Sequence, residues 1–139
     1  KEMTSRVVST IIGLEQKTLS ISNEGNVLIF GSNLTEESEE IYPPRIIPSL
    51  MNIKAICCGT NHTLCLNVSG EVFTFGGNSF GELGVGKSKL SLRYTSEPQK
   101  VDLPPIKQVS CGVNSSFCLS EDGILYSFGY NKYGQLGHG

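Results

Sequence analysis

Tryptophan is absent from the 139-residue chain, histidine occurs twice, and charged residues make up only 17% of it. The net charge of −2 gives no overall attraction for nucleic acid. No apolar run approaches the length of about 18 residues that a membrane-spanning helix needs. The sequence therefore carries no strong signal for nucleic-acid binding or for insertion into a membrane.

Sustained helical periodicity is also missing, whereas glycine is abundant at 16 residues and follows no collagen-like period. Short β-rich runs separated by turn-forming residues recur along the chain, and the first three are Val7–Ile12, Thr18–Ile21 and Val27–Phe30. We therefore predict a nearly all-β chain that is rich in tight turns.

The chain is built from repeats. Val72–Gly86 returns as Leu125–Gly139 at a constant offset of 53 residues, and a weaker copy that ends near Asn33 matches the middle unit at an offset of 45. Proline-containing segments connect the units and suit an edge strand or a loop; in the middle unit we expect a short fourth strand near Gln99 to Asp102. Units of this size with four strands are typical of propeller blades.

These repeats predict one repeat domain over residues 1–139. Within it we distinguish a degenerate blade repeat at 7–52, a consensus-like repeat at 53–105 and a truncated repeat at 106–139. The predicted fold is an all-β partial propeller of two to three four-stranded antiparallel blades.

The middle unit resembles a repeat of the regulator of chromosome condensation family, through Gly59-Thr-Asn-His-Thr-Leu-Cys-Leu and the glycine-rich run that ends at Gly86. A second copy begins at Gly112. The resemblance implies a propeller, usually of seven blades, with glycines at its tight turns and the motif histidine near a blade turn. The residues that it assigns to the structural motif are Gly59, His62, Gly70, Gly76, Asn78, Gly81, Leu83, Gly84, Gly86, Gly112, Gly123, Gly129, Asn131, Gly134, Leu136, Gly137 and Gly139.

Two features depart from that pattern. Lys17 and Ser115 stand where the family usually has histidine, and an acidic run at 34–40 replaces the first glycine-rich run. Seven such units need about 350 residues. Because a partial ring leaves apolar faces and strand edges open, we expect either an arc of a longer chain or several chains that complete the surface.

Gly81–Ser88 fits the phosphate-loop pattern G-x-x-x-x-G-K-[ST]. That site needs a helix directly after Lys87, and the residues that follow include β-branched and turn residues and Pro98 but no helical face. The glycine spacing recurs at Gly134–Gly139 as part of the repeat. We therefore interpret the glycines as structural and Lys87-Ser88 as following them by chance. Nucleotide binding at Gly81–Ser88 is the alternative.

Five cysteines, an odd number, favour a reducing, intracellular setting, cytoplasmic or nuclear. Cys58 and Cys65 correspond to Cys111 and Cys118, with six residues between the members of each pair. That spacing is longer than the usual zinc-binding one, so we expect buried thiols and assign no metal site.

His62 and His138 have no nucleophile or carboxylate partner that the sequence defines, so we expect a structural His62. No catalytic residue and no cofactor is assigned, and the chain is not predicted to be an enzyme.

The segment from Lys87 to Lys100 has a local excess of positive charge. It is a candidate partner-facing loop, with a solvated loop between blades as the structural alternative. Its basic residues are Lys87, Lys89, Arg93 and Lys100.

Aromatic residues occupy equivalent positions of the repeats. We expect them to pack in the core and between blades first, and to form a binding platform second. They are Phe73, Phe75, Phe80, Tyr126, Phe128 and Tyr133.

Function is predicted from the repeats as a protein-interaction scaffold, in which loops between strands face a partner protein of unknown identity. The resemblance implies an alternative, guanine-nucleotide exchange on a Ran-like small GTPase, which the family's founding member performs; no exchange residue is assigned here. The absence of tryptophan excludes, for this segment, the tryptophan-based light sensing of the plant UV-B photoreceptor of this family.

Overall fold

The computed structural model of the chain describes residues 8–13, 17–32, 41–86, 92–134 and 136–137. Within them, short strands alternate with turns and none of the described segments is helical. The strands are β1 (Val8–Gly13), β2 (Lys17–Ser22), β3 (Val27–Ser32), β4 (Ile41–Ile46), β5 (Ile53–Cys58), β6 (His62–Asn67), β7 (Val72–Gly77), β8 (Tyr94–Lys100), β9 (Ile106–Cys111), β10 (Ser115–Ser120) and β11 (Leu125–Gly129).

The described strands form three antiparallel sheets, in which each strand pairs with its neighbours in sequence. We call β1–β4 the first blade, β5–β8 the second blade and β9–β11 the third blade. Strand β5 packs against β1 and β2, and β9 packs against β5 and β6. The sheets thus follow one another as blades, and the prediction of an all-β partial propeller is confirmed.

Edge strands carry the prolines of the connecting segments. Pro43 and Pro44 lie in β4, and Pro98 lies in β8, at the outer edge of each four-stranded sheet. Proline has no N–H for a ladder hydrogen bond, so an edge is the position in a sheet where it is tolerated. The expectation of an edge strand or a loop is met in both forms, because Pro48, Pro104 and Pro105 lie in the connections that follow these strands.

Strand β8 begins at Tyr94, earlier than the fourth strand expected near Gln99 to Asp102. Its register pairs Gly77 with Tyr94 and Thr74 with Gln99, with an irregularity between these two pairings. Pairing is interrupted at this irregularity and continues on both sides of it, so β8 runs along β7 from Gly77 to Phe73. The expected bounds were therefore wrong, although the strand exists.

The first core lies between the first and second blades. Leu19 and Val27 on one side meet Ile53 and Phe75 on the other, and all four are buried. Leu50, from the connection between the two blades, is fully buried in the same cluster. Neither sheet covers these side chains alone, so the apolar area is removed from water only when the blades stack.

The second core lies between the second and third blades and contains Leu64, Leu66, Val72, Ile106 and Cys118. Every residue of β6 is buried. Because side chains alternate along a strand, β6 contributes Cys65 to the first core, and Leu64 and Leu66 to the second. This explains why β6 shows no alternation between buried and exposed positions.

Glycine turns connect consecutive blades through the backbone. The carbonyl of Gly25 accepts a hydrogen bond from the amide of Ile53 at 2.9 Å, and the carbonyl of Gly70 accepts one from Ile106 at 2.9 Å. In each case the turn between the second and third strands of one blade holds the first strand of the next. The same contact therefore recurs at each described boundary between blades.

None of the described residues belongs to a helix long and apolar enough to cross a membrane.

Replacement of Val72 by alanine tests the packing between blades. Val72 is 1% exposed in the second core, so its loss should lower the free energy of unfolding of the intact protein by about 1.5–3 kcal/mol. Val68, 62% exposed in the preceding turn, is the matched control, and Val68→Ala should change stability by less than about 0.5 kcal/mol. Urea unfolding measures both, and equal losses would contradict the proposed core.

Candidate functional site

The loop after β7, which we call the second-blade glycine loop (residues 78–86), is held by its own side chains. The Oδ1 atom of Asn78 accepts a hydrogen bond from the amide of Leu83 at 3.1 Å, and its Nδ2 atom donates to the carbonyl of Leu92 at 2.8 Å. The hydroxyl of Thr74 donates to the carbonyl of Leu83 at 2.8 Å. Leu83 is fully buried, so these bonds satisfy both of its backbone groups within the core.

The loop after β11 repeats this network, and we call it the third-blade glycine loop (residues 131–134 with 136–137). The amide of Leu136 donates to Oδ1 of Asn131 at 2.9 Å, and the hydroxyl of Ser127 donates to the carbonyl of Leu136 at 2.8 Å. The Asn and Leu of the motif therefore form one recurring structural unit, in which a hydroxyl on the preceding strand is the third member.

Glycine is required near the end of the third strand in the second and third blades. Gly76 and Gly129 have φ angles of 104° and 113°, a region that L side chains rarely adopt. A side chain at Gly76 would also collide with the carbonyl oxygen of Asn61, and one at Gly129 with that of Asn114. These contacts let the loop between the first two strands of a blade lie directly against the third strand.

The second-blade glycine loop is also attached to the third blade. The carbonyl oxygen of Glu82 accepts a hydrogen bond of 2.6 Å from the hydroxyl of Ser116, a buried residue of β10. A Cβ atom on Gly84 would lie 2.8 Å from the ring of Phe128. The loop therefore packs directly against the third blade, and the absence of a side chain at Gly84 leaves space for the ring of Phe128.

His62, the first residue of β6, is buried with 1% of its surface exposed. Its imidazole lies against the Cα of Gly59, where any side chain would collide with it. In the third blade Ser115 takes the place of the histidine and its hydroxyl lies close to Gly112 in the same way. Both glycines therefore serve as the surface on which the first side chain of the next strand rests.

The remaining glycines of the motif lie in turns. Those with positive φ are Gly70, Gly81, Gly86, Gly123, Gly134 and Gly137, whereas Gly139 lies outside the described residues.

Glu82 brings a carboxylate into the second-blade glycine loop and is only 2% exposed. Its Oε2 atom accepts a hydrogen bond of 2.7 Å from the amide of Phe80. Burial raises the pKa of Glu82 above its ordinary value of 4.5, and this effect outweighs that hydrogen bond. The loop therefore holds an acid that is destabilised in its charged form.

The predicted basic loop is only partly described. Lys87 and Lys89 lie outside the described residues, and Arg93 is exposed just before β8. Lys100 lies at the far end of β8, where its Nζ atom is 2.5 Å from Oε2 of Glu71. Arg93 precedes the seven-residue strand β8 and Lys100 ends it, so the structure does not bring these two charges together.

In the described part of the phosphate-loop pattern, backbone amides donate hydrogen bonds within the loop itself. The amide of Gly81 donates to the carbonyl of Asn78, that of Gly84 to the carbonyl of Gly81, and that of Leu83 to the side chain of Asn78. A phosphate in a loop of this kind would need such amides to point at it. Lys87 and Ser88 lie outside the described residues.

Strand connections 59–61, 78–86, 112–114 and 130–134 emerge on one side of the blades, which we call the loop face. The turns 68–71, 101–105 and 121–124 emerge on the opposite side, which we call the turn face. Antiparallel pairing of consecutive strands requires this division, because alternate connections lie at opposite ends of a sheet.

Three aromatic rings form a row on the loop face, which we call the aromatic ridge (Phe80, Tyr130 and Tyr133). The ring centroids of Phe80 and Tyr130 are 4.9 Å apart with edge-to-face geometry, and those of Tyr130 and Tyr133 are 6.3 Å apart. The ammonium of Lys132 lies 5.6 Å from the ring centroid of Tyr133. The ridge crosses the boundary between blades, since Phe80 belongs to the second and both tyrosines to the third.

The ridge corrects part of the aromatic prediction. Phe75 is buried, and Phe73, Tyr126 and Phe128 pack against the cores as expected. Phe80 and Tyr133, in contrast, are 47% and 79% exposed and belong to neither core. Both residues lie in the loops rather than in the strands. Their position after the third strand of the repeat was the sequence signal that could have predicted their exposure.

Sequence reasoning also missed Tyr130, which stands where the second blade has Gly77. A large side chain in place of a repeat glycine, directly after a strand, was the signal that could have identified it.

Cys65 and Cys118 are buried as expected, whereas the same expectation was wrong for Cys58 and Cys111, which are only partly buried. Burial raises the pKa of the Cys118 thiol to about 12. Among the residues that the structure describes, no group of three or more His, Cys, Asp or Glu side chains could hold a metal ion.

Comparisons with known proteins agree with this architecture. A family model described as the regulator of chromosome condensation (RCC1) repeat matches residues 69–119, and a second model of the same description matches 53–82 and 106–135. Human protein RCC2 is 35% identical over 134 residues, covering 87% of this chain and 24% of RCC2. The Caenorhabditis elegans homologue of the X-linked retinitis pigmentosa GTPase regulator is 42% identical over 87 residues, covering 62% of this chain and 6% of that protein.

Among solved structures, Prp20p from Saccharomyces cerevisiae superposes with a TM-score of 0.83 at 22% identity, over 100% of this chain and 37% of that one. At this identity the match concerns the fold alone. The chain spans about a quarter of the length of RCC2, so it corresponds to an arc of these relatives rather than to a whole propeller.

Glu82→Gln should stabilise the intact protein at neutral pH. Because the folded state keeps Glu82 protonated to a higher pH than the unfolded chain does, the free energy of unfolding falls as pH rises above the ordinary pKa of 4.5. Glutamine keeps the acceptor for the Phe80 amide without the buried charge. We expect the melting temperature to rise by about 1–3 °C at pH 7, and the gain to vanish below pH 4.5. A lower melting temperature at pH 7 would contradict this account.

Proposed function

The chain belongs to the regulator of chromosome condensation repeat family, and from that premise we propose that it acts as a protein-interaction scaffold. It contributes a propeller arc whose loop face contacts a partner protein. The observation that carries this proposal is the aromatic ridge, because it places exposed aromatic area on the face formed by the strand connections.

Exposed aromatic side chains suit a contact between proteins. Tyrosine and phenylalanine are enriched in protein interfaces because their large rigid rings bury much apolar area at a low cost in conformational entropy. Tyr133 is 79% exposed and Phe80 is 47% exposed, so both rings have area left to bury against a partner. Lys132 beside them supplies a polar rim to the same patch.

The ridge is also supported from below. Phe80 lies two residues before Glu82, whose backbone carbonyl is bonded to Ser116 of the third blade and whose carboxylate accepts the Phe80 amide. Tyr130 is fixed by its amide, which donates to the carbonyl of Asn114 at 2.9 Å. A partner would therefore meet rings on anchored backbone, which lowers the entropy lost on binding.

The interior chemistry supports the same class of function. The polar groups of the second-blade glycine loop described above are engaged in structural hydrogen bonds. We propose an intracellular location, cytoplasmic or nuclear, because five cysteines, an odd number, suit a reducing compartment.

Guanine-nucleotide exchange on a Ran-like small GTPase is the second candidate. It is favoured by the similarity to a relative named as a GTPase regulator, which is 42% identical over 87 residues. It is favoured also by the fold shared with Prp20p, whose binding to Gsp1p and histones was described with its structure. Exchange would work by loosening the nucleotide of the partner, so it requires a contact surface and no catalytic dyad in this chain.

The scaffold proposal predicts that removal of the ridge weakens binding of the partner. Intact protein is used as bait, the bound proteins are identified by mass spectrometry, and the affinity of the purified partner is measured by calorimetry. Phe80→Ala combined with Tyr133→Ala should weaken binding by about tenfold or more, because a few aromatic side chains supply most of the binding energy in such interfaces.

Met51→Ala combined with Val68→Ala is the matched control, since these residues are 64% and 62% exposed outside the ridge. The control should bind as the unmodified protein does. If both double variants bind with unchanged affinity, the loop face is not the contact surface.

Release of a fluorescent nucleotide from a Ran-like GTPase distinguishes the two candidates. A scaffold should leave the release rate unchanged at micromolar protein, whereas an exchange factor should raise it by about tenfold or more and lose that effect in the Phe80 and Tyr133 double variant. Acceleration that depends on the ridge would replace the scaffold proposal by exchange.

A further inference from the structure

Two thiols from different blades meet at the boundary between the second and third blades. Cys57 lies in β5 and Cys111 in β9, and their Sγ atoms are 2.8 Å apart. Both are free thiols and both are partly exposed. The separation is close to bonding distance, since the sulfur atoms of a disulfide are about 2.05 Å apart.

The backbone around the two thiols holds the strands at this distance. Directly beyond the cysteines, the amide of Thr60 donates to the carbonyl of Val113 at 2.9 Å. A Cβ atom on Gly59 would lie 2.6 Å from the carbonyl oxygen of Gly112, which shows how closely the two strand ends approach. The thiols are thus brought together by the packing of two blades rather than by the flexibility of their side chains.

The other cysteines are placed differently. Cys58, adjacent in sequence, has its Sγ atom 3.6 Å from the hydroxyl of Thr63 within its own blade. Cys65 and Cys118 are fully buried in the first and second cores. Of the described thiols, the pair Cys57 and Cys111 combines close approach with access to solvent.

We propose that Cys57 and Cys111 are a site of reversible disulfide modification, which links the second blade covalently to the third.

The oxidant is a low-molecular-weight disulfide such as oxidised glutathione. The thiolate of one cysteine attacks a sulfur of the oxidant, and the first glutathione leaves as a thiolate and takes up a proton. The second cysteine, after losing its proton, attacks the protein sulfur of the mixed disulfide and releases the second glutathione. Two electrons pass from the cysteines to the glutathione disulfide, and the protein gains one sulfur–sulfur bond.

The hydrogen bond with Cys57, and then burial, raise the pKa of the Cys111 thiol. Either sulfur can be the donor in that hydrogen bond, so either cysteine can attack first and the other then resolves the mixed disulfide. Because only a thiolate attacks, the rate of linkage should rise with pH.

Equilibration of the intact protein in glutathione buffers tests the proposal. After alkylation, trypsin leaves Cys57 in peptide 55–87 and Cys111 in peptide 108–132, so the link appears as a joined pair of these peptides. At half-oxidation, the squared concentration of reduced glutathione divided by the concentration of oxidised glutathione measures how strongly the disulfide is favoured. This ratio should be at least about tenfold higher for the native protein than for the protein in guanidinium chloride. Equal ratios in the two conditions would overturn the proposal.

Variants identify the bonded sulfurs, because the first peptide also contains Cys58 and Cys65 and the second also contains Cys118. Cys57→Ser and Cys111→Ser should each abolish the joined peptides, whereas the matched control Cys58→Ser should retain them at the same half-oxidation ratio. A link that persists in Cys57→Ser, or one that disappears in Cys58→Ser, would overturn the assignment of the pair.

Discussion

Packing of one β-sheet on the next is the interaction on which the rest of this structure depends. Strand β6 is buried along its whole length, with neighbouring side chains in two different cores. Neither core is complete within one repeat, so a blade acquires its apolar stabilisation only from its neighbours. The glycine turns, the anchored loops and the close thiols all lie where this packing brings two repeats together.

The glycine loops are anchored by a recurring set of hydrogen bonds. In each described glycine loop an asparagine satisfies a buried leucine amide, and a hydroxyl on the preceding strand satisfies its carbonyl. This network turns an irregular segment into a fixed support and lets Leu83 enter the core despite its polar backbone. An anchored loop leaves its outer side chains available to solvent, which is how one segment serves both packing and recognition.

The sequence alone was sufficient for the fold and insufficient for the surface. Recurrence of glycine, asparagine and leucine at a constant offset predicted blades, because these residues meet backbone demands that every copy shares. The start of β8 was missed because its irregular pairing follows from contacts with β7 and not from a local pattern. The aromatic ridge was missed for two reasons. Phe80 was grouped with the aromatic residues of the strands, and Tyr130 occupies a position where the preceding copy has glycine.

The carbonyl of Gly70 that receives the amide of Ile106 has a consequence for synthesis on the ribosome. A chain emerges from its amino-terminal end, so the second blade leaves the exit tunnel before the strand that covers Leu64 and Val72. Until Ile106 has followed, that face of the nascent sheet is exposed and its turn carbonyl has no backbone donor from the next blade. Each newly made blade thus completes the one before it, and a pause in translation while the second blade is outside the exit tunnel and Ile106 is still inside it would leave an apolar face open to chaperones or to aggregation.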